Sequence, residues 1–167
     1  MINKYFLLCL SVVIIALLLF FRNDLILLTA GGRPAPKVNF ITYAGDQVAS
    51  FDTSGPTYLY FWSLHEPSSL SELIALQKLI NAGSADVNSV LTVNVDPESE
   101  KSAVANWIDK NEISIRFAFD ASRAFFKESG TDVVPSVWLI NNDGTIDNAG
   151  TRLPSKFNRR QIEGRRR

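Results

Sequence analysis

The sequence predicts an α/β domain, a mixed β-sheet flanked by helices, behind an N-terminal transmembrane helix. Three observations carry this. Apolar strand-like runs alternate with helix-like stretches between residues 57 and 141. A tight Asp143-Gly144 turn then closes the chain with an antiparallel hairpin, which makes the sheet mixed. Ahead of all this, Tyr5 to Phe21 is an uncharged apolar run.

That run has 17 residues, at the short end of the roughly 17–25 needed to span a bilayer. In lipid its backbone must bond internally, so it is expected to be helical. It is longer than the apolar stretch of a signal peptide, and "LTAGG" at 28–32 is not a clean small-x-small cleavage site. Residues 1–30 therefore read as a membrane anchor in preference to a cleaved signal peptide. Lys4 precedes the run, while Arg22, Arg33 and Lys37 follow it, so charge alone gives no orientation. "GGRPAPK" at 31–37 has the composition of a flexible linker.

The domain proper is expected over 38–151. "VNFITYAGDQVASF" reads as two short strands about Gly45-Asp46. "TYLYFW" at 57–62 is continuously apolar, as in a central strand covered on both faces. "SSLSELIALQKLINAG" reads as a helix, with Ser69 and Glu72 at capping-box spacing and Gly83 as its stop. "SVLTVNVD" is the next buried strand. "PESEKSAVANWIDKN" opens with proline and acids, as helix starts do. A short strand "IRFAFD", a short helix "ASRAFFKESG" and a strand "VVPSVWLIN" follow. The proline in that last strand is anomalous for a central position. Trp62, Trp107 and Trp138 fall in apolar elements and read as core.

Formal net charge is zero, but residues 152–167 carry +6 and the remainder −6. A basic tail suits acidic lipid, nucleic acid or an acidic partner, although solvated termini are the commoner case. No nucleic-acid partner is expected from the chain as a whole. Cys9, inside the apolar run, is the only cysteine, and His65 is the only histidine. Cysteine-based zinc or redox sites and two-histidine metal sites are thereby excluded. No Gly-rich phosphate loop follows a strand, so no cofactor is expected.

In order and spacing, "YLYFWSLHEPSSLSELIALQKL", "VLTVNVDPESEKSAVANWIDKN" and "FAFDASRAFFKESGTDVVPSVWLINNDGTI" resemble the thioredoxin-like superfamily. Within it, they are most similar to the membrane-anchored bacterial TlpA/ResA-type thiol-disulfide oxidoreductases. The resemblance implies a thioredoxin-like fold, a single-pass inner-membrane protein with a periplasmic domain, and a cis peptide bond at Pro135. It also places the Cys-x-x-Cys pair of the family on Glu66-Pro67-Ser68-Ser69, where neither residue can form the mixed disulfide of thiol exchange. What remains is a binding groove made by His65, Glu66, Pro67, Val134 and Pro135, fit for a protein or peptide partner.

Three chemistries compete at this corner. Glu66 and Ser69 are ordinary helix-capping residues. His65, Glu66 and Ser69 also include the residue types of a hydrolase, but no G-x-S-x-G elbow is present. A metal site from His65 and Glu66 lacks further ligands within the stretch, so none is expected.

Overall fold

A computed structural model describes residues 4–51, 55, 57–84 and 87–154. The tail from residue 155 onward lies outside them. The strands are β1 (Asn39–Ile41), β2 (Gln47–Ala49), β3 (Thr57–Trp62), β4 (Val90–Asn94), β5 (Phe117–Phe119), β6 (Ser136–Ile140) and β7 (Ile146–Gly150). The helices are α1 (Lys4–Phe20), α2 (Arg22–Leu28), α3 (Pro67–Asn81), α4 (Lys101–Lys110) and α5 (Ala124–Ser129). Short 3₁₀ turns cover Val87–Ser89 and Glu98–Glu100.

The sheet order is β2-β1-β5-β4-β3-β6-β7. β3 runs parallel to β4 and antiparallel to β6, so it is central. That position explains its unbroken apolar sequence: Tyr58 to Trp62 are all buried. Alternation divides them between two cores. Tyr58, Tyr60 and Trp62 face Leu73 and Leu76 of α3 and Val104 and Ile108 of α4. Leu59 and Phe61 face Phe125 and Phe126 of α5, Trp138 and Phe40. Trp62 and Trp138 are fully buried. Trp107 is half-buried and packs on Trp62, with ring centroids 5.7 Å apart.

The Asp143-Gly144 turn follows the expected chemistry. The Thr145 amide donates to Asp143 Oδ1 at 2.9 Å, and Gly144 takes φ +81°. A Cβ on Gly144 would also lie 2.9 Å from the Phe51 ring. Glycine is required there on both counts. The anomalous proline resolves simply: β6 begins at Ser136, so Pro135 precedes the strand and removes no ladder bond.

The N-terminal region departs from expectation. α1 ends at Phe20, and a 60° bend separates Leu8–Phe20 from Arg22–Leu28. Among the described residues no single helix is long and apolar enough to cross a membrane, while the bent pair passes by length and composition. At about 1.5 Å per residue the 17-residue α1 is about 25 Å long, against a hydrocarbon layer of about 30 Å.

α2 belongs to the domain. Leu27 and Ala30 are buried in the same core as Phe61 and Trp138. Asn23 Nδ2 donates to Asp132 Oδ1 at 2.9 Å, and Arg22 reaches the Gly130 carbonyl at 3.3 Å. Residues 31–37, read from composition as a flexible linker, are tied to the closing hairpin. Gly32 N donates to Ile146 O at 2.7 Å, Ile146 N to Arg33 O at 2.8 Å and Ala35 N to Gly144 O at 2.9 Å. Glycine and proline here serve a fixed path along an edge strand.

Candidate functional site

β3 ends at Trp62, and its parallel neighbour β4 ends opposite it at Asn94. The chain leaves both strands at this end of the sheet, so residues 63–66 and 95–100 meet there. Asp96 holds the two exits together. It is buried, and its carboxylate accepts from the Ser63 hydroxyl, from the Leu64 amide at 2.8 Å and from Asn94 Nδ2 at 2.9 Å. The Ser63 hydroxyl in turn accepts from the His65 amide at 3.1 Å. A buried carboxylate needs such partners, since leaving it unpaired is costly.

Glu66 is the N-cap of α3. Its carboxylate accepts from Ser68 N at 3.4 Å and from the Ser68 hydroxyl at 2.8 Å. Pro67 follows at the first helical position, where a missing N–H costs nothing, and is exposed. The expected Ser69–Glu72 capping box is therefore not formed. The helix starts one turn earlier, Ser69 already lies inside it, and Glu72 Oε2 instead accepts from Leu153 N at 3.4 Å. Burial pushes the Glu72 carboxyl up, opposed by that bond and by Arg152.

Ser69 is fully buried, and among the described residues its hydroxyl has no hydrogen-bond partner. Its carbonyl accepts from the Tyr60 hydroxyl at 2.9 Å. Burial, with Glu72 next, raises the Tyr60 phenol far above its ordinary value, so it remains a donor. Among the described residues Ser69 makes no hydrogen bond to His65, whose Nε2 is engaged by Glu100, and a Ser-His relay is not assembled.

His65 is exposed, and its Nε2 lies 2.6 Å from Glu100 Oε2. Bonding to Glu100, then the charges of Glu100 and Asp96, raise its pKa. Asp96 and Glu100 were not legible as site residues. The nearest sequence signal was the strand pairing that brings "NVDPESE" beside "WSLHE".

The Val134-Pro135 bond is cis. Ser136 pairs with Phe61, so the register carries Pro135 to the Trp62 end of β3, the end that holds the corner. Pro135 is buried, while Val134 is half-buried against the core shared by α2 and α5. The fold thus gathers His65, Glu66, Pro67, Ser69, Val134 and Pro135 at one end of the sheet.

The family model described as AhpC/TSA matches residues 32–149. The chain belongs to the AhpC/TSA family. Among curated proteins of this kind it is similar to sporulation thiol-disulfide oxidoreductase A of Bacillus subtilis strain 168, at 26% identity over 118 residues. That match spans 69% of this chain and 72% of the relative. The crystal structure of StoA from Bacillus subtilis superposes with a TM-score of 0.59 and 26% identity, over 72% of this chain and 90% of that one. The thioredoxin domain of a Bacteroides vulgatus thiol-disulfide oxidoreductase superposes with a TM-score of 0.61 at 20% identity, over 74% and 90% respectively, which shows the shared thioredoxin-like fold. This AhpC/TSA member has no cysteine beyond Cys9.

Proposed function

We propose that this chain is a membrane-tethered thioredoxin-like module of the bacterial envelope that binds a protein or peptide segment and performs no thiol exchange of its own. The observation that carries the reading is the pair Glu66 and Ser69. Glu66 occupies the helix N-cap, where the helix-start amides would otherwise stabilise a thiolate. Ser69 occupies the buried third helical position with an unpaired hydroxyl. Both are where the resemblance puts the two cysteines, and the cis Val134-Pro135 bond lies toward the same end of the sheet. The segment next to Val134 is the proposed partner strand.

The tether is α1, with the domain on the periplasmic side of the inner membrane. Retention of the N-terminal segment fits the packing, because a cut near Gly31 would remove Leu27 and Ala30 from the core. The kinship to proteins named thiol-disulfide oxidoreductases favours one second reading: an enzyme that works with a partner's cysteines.

The test is made on the full chain in detergent. Purified protein is expected to reduce insulin disulfides no faster than dithiothreitol alone. A photoreactive residue at Val134 is expected to capture a partner in intact cells, whereas one at exposed Asp109 is not. Catalytic turnover by the purified chain overturns the non-redox reading. Turnover that appears only with the captured partner selects the second reading. Equal capture at both positions removes the groove.

A further inference from the structure

We propose that His65, Asp96 and Glu100 form a site for a divalent first-row transition cation, with Zn²⁺ as the natural probe. One ligand atom of each lies within 4.8 Å of the others. The three come from separate segments: the turn after β3, the loop after β4 and the 3₁₀ turn before α4. Their convergence is a product of the β3–β4 pairing and not of spacing along one helix.

The donor set is one imidazole nitrogen and two carboxylates, which suits zinc. A tetrahedral zinc with ligand bonds near 2.0–2.2 Å separates its donors by about 3.4 Å. The 2.6 Å contact between His65 Nε2 and Glu100 Oε2 must therefore open. Both side chains have room for it, being 68% and 31% exposed. Asp96 has a free acceptor position. Among the described bonds its Oδ1 accepts from the Ser63 hydroxyl alone, which leaves a lone pair, while Oδ2 is held by Leu64 N and Asn94 Nδ2. Such outer bonds fix a ligating carboxylate in place.

Charge points the same way. Two carboxylates beside one imidazole leave the cluster negative even when the ring is protonated. Lys101, next to Glu100 in the chain, is engaged with Glu98 at 3.4 Å. A divalent ion with neutral His65 brings the cluster to zero, and water from the open side completes the coordination.

The experiment uses the untagged full chain in detergent micelles, first stripped with chelator. Zn²⁺ is titrated by calorimetry, and Co²⁺ is followed by its visible absorption. One ion per chain is expected to bind saturably. His65→Ala and Glu100→Gln are each expected to weaken binding at least tenfold, and His65→Ala to alter the Co²⁺ spectrum. Asp109→Asn, at an exposed position of α4 outside the cluster, is expected to match the parent. His65 and Glu100 are surface positions whose variants fold, as circular dichroism will verify. Absence of saturable binding overturns the site. So does binding that His65→Ala and Glu100→Gln leave unchanged.

Discussion

His65 Nε2 and Glu100 Oε2 meet at 2.6 Å, which closes the turn after β3 onto the turn that opens α4. This bond, then the charges of Glu100 and Asp96, hold the imidazole pKa above its ordinary value. A group raised on folding adds stability in full below its unfolded pKa, and that contribution fades as pH rises through the folded value. A metal-free NMR titration is expected to place the His65 midpoint above about 6.5. Glu100→Gln should lower it. A parent midpoint at or below the ordinary value contradicts the bond.

Asp96→Ala should destabilise the domain by about 3 kcal/mol, because several donors lose a buried charged acceptor together. Urea unfolding measures this. A loss below about 1 kcal/mol would mean that water replaces the carboxylate without penalty.

Glu66 and Ser69 should respond in opposite ways to truncation. Glu66→Ala removes the N-cap acceptor and should cost about 1 kcal/mol. Ser69→Ala deletes a buried hydroxyl with no partner, and should be neutral or stabilising. Thermal melts of the two variants decide the order, and a larger loss for Ser69→Ala reverses it.

Introducing cysteine at both Glu66 and Ser69 should give a folded protein that forms a disulfide. The two positions are the N-cap and the third residue of α3, and the second is already a buried polar site without a bond to lose. Thiol counting should find three free thiols after reduction and one, Cys9, after mild oxidation. Three thiols persisting under oxidant would show that the corner no longer brings the two positions together.

Leu27→Ala tests the docking of α2. Leu27 packs in the core with Phe61 and Trp138, so truncation should cost about 2–4 kcal/mol. A change within about 0.5 kcal/mol, as for an exposed residue, would detach α2 from the domain.

The strand and helix order was legible because the strands with the most neighbours are the most apolar. "TYLYFW" is sandwiched between β4 and β6, and its composition says so. The position of the corner was legible for the same reason, as the first polar break after a buried strand. The neighbours of His65 were not, because Asp96 and Glu100 are brought near it through the β3–β4 register, which the sequence does not spell out. The start of α3 was misread because Ser69 and Glu72 fit a capping pattern by spacing, while Pro67 and Glu66 satisfy the helix end one turn sooner. α2 was hidden by its composition: "LILL" continues a membrane-like run, although Leu27 serves the core of the domain.

The ties from Gly32, Arg33 and Ala35 to the closing hairpin leave no slack between α2 and the sheet. If α1 is the tether proposed above, the bend at Phe21 is the one break between it and the domain, which would sit as a head on a short neck. A slack tether would let it sweep a volume that grows with linker length, diluting it over many encounters. Under the proposed tether, such a geometry would restrict the corner to a thin shell above the membrane. Within that shell a weak contact is made repeatedly, and outside it even a strong one is out of reach.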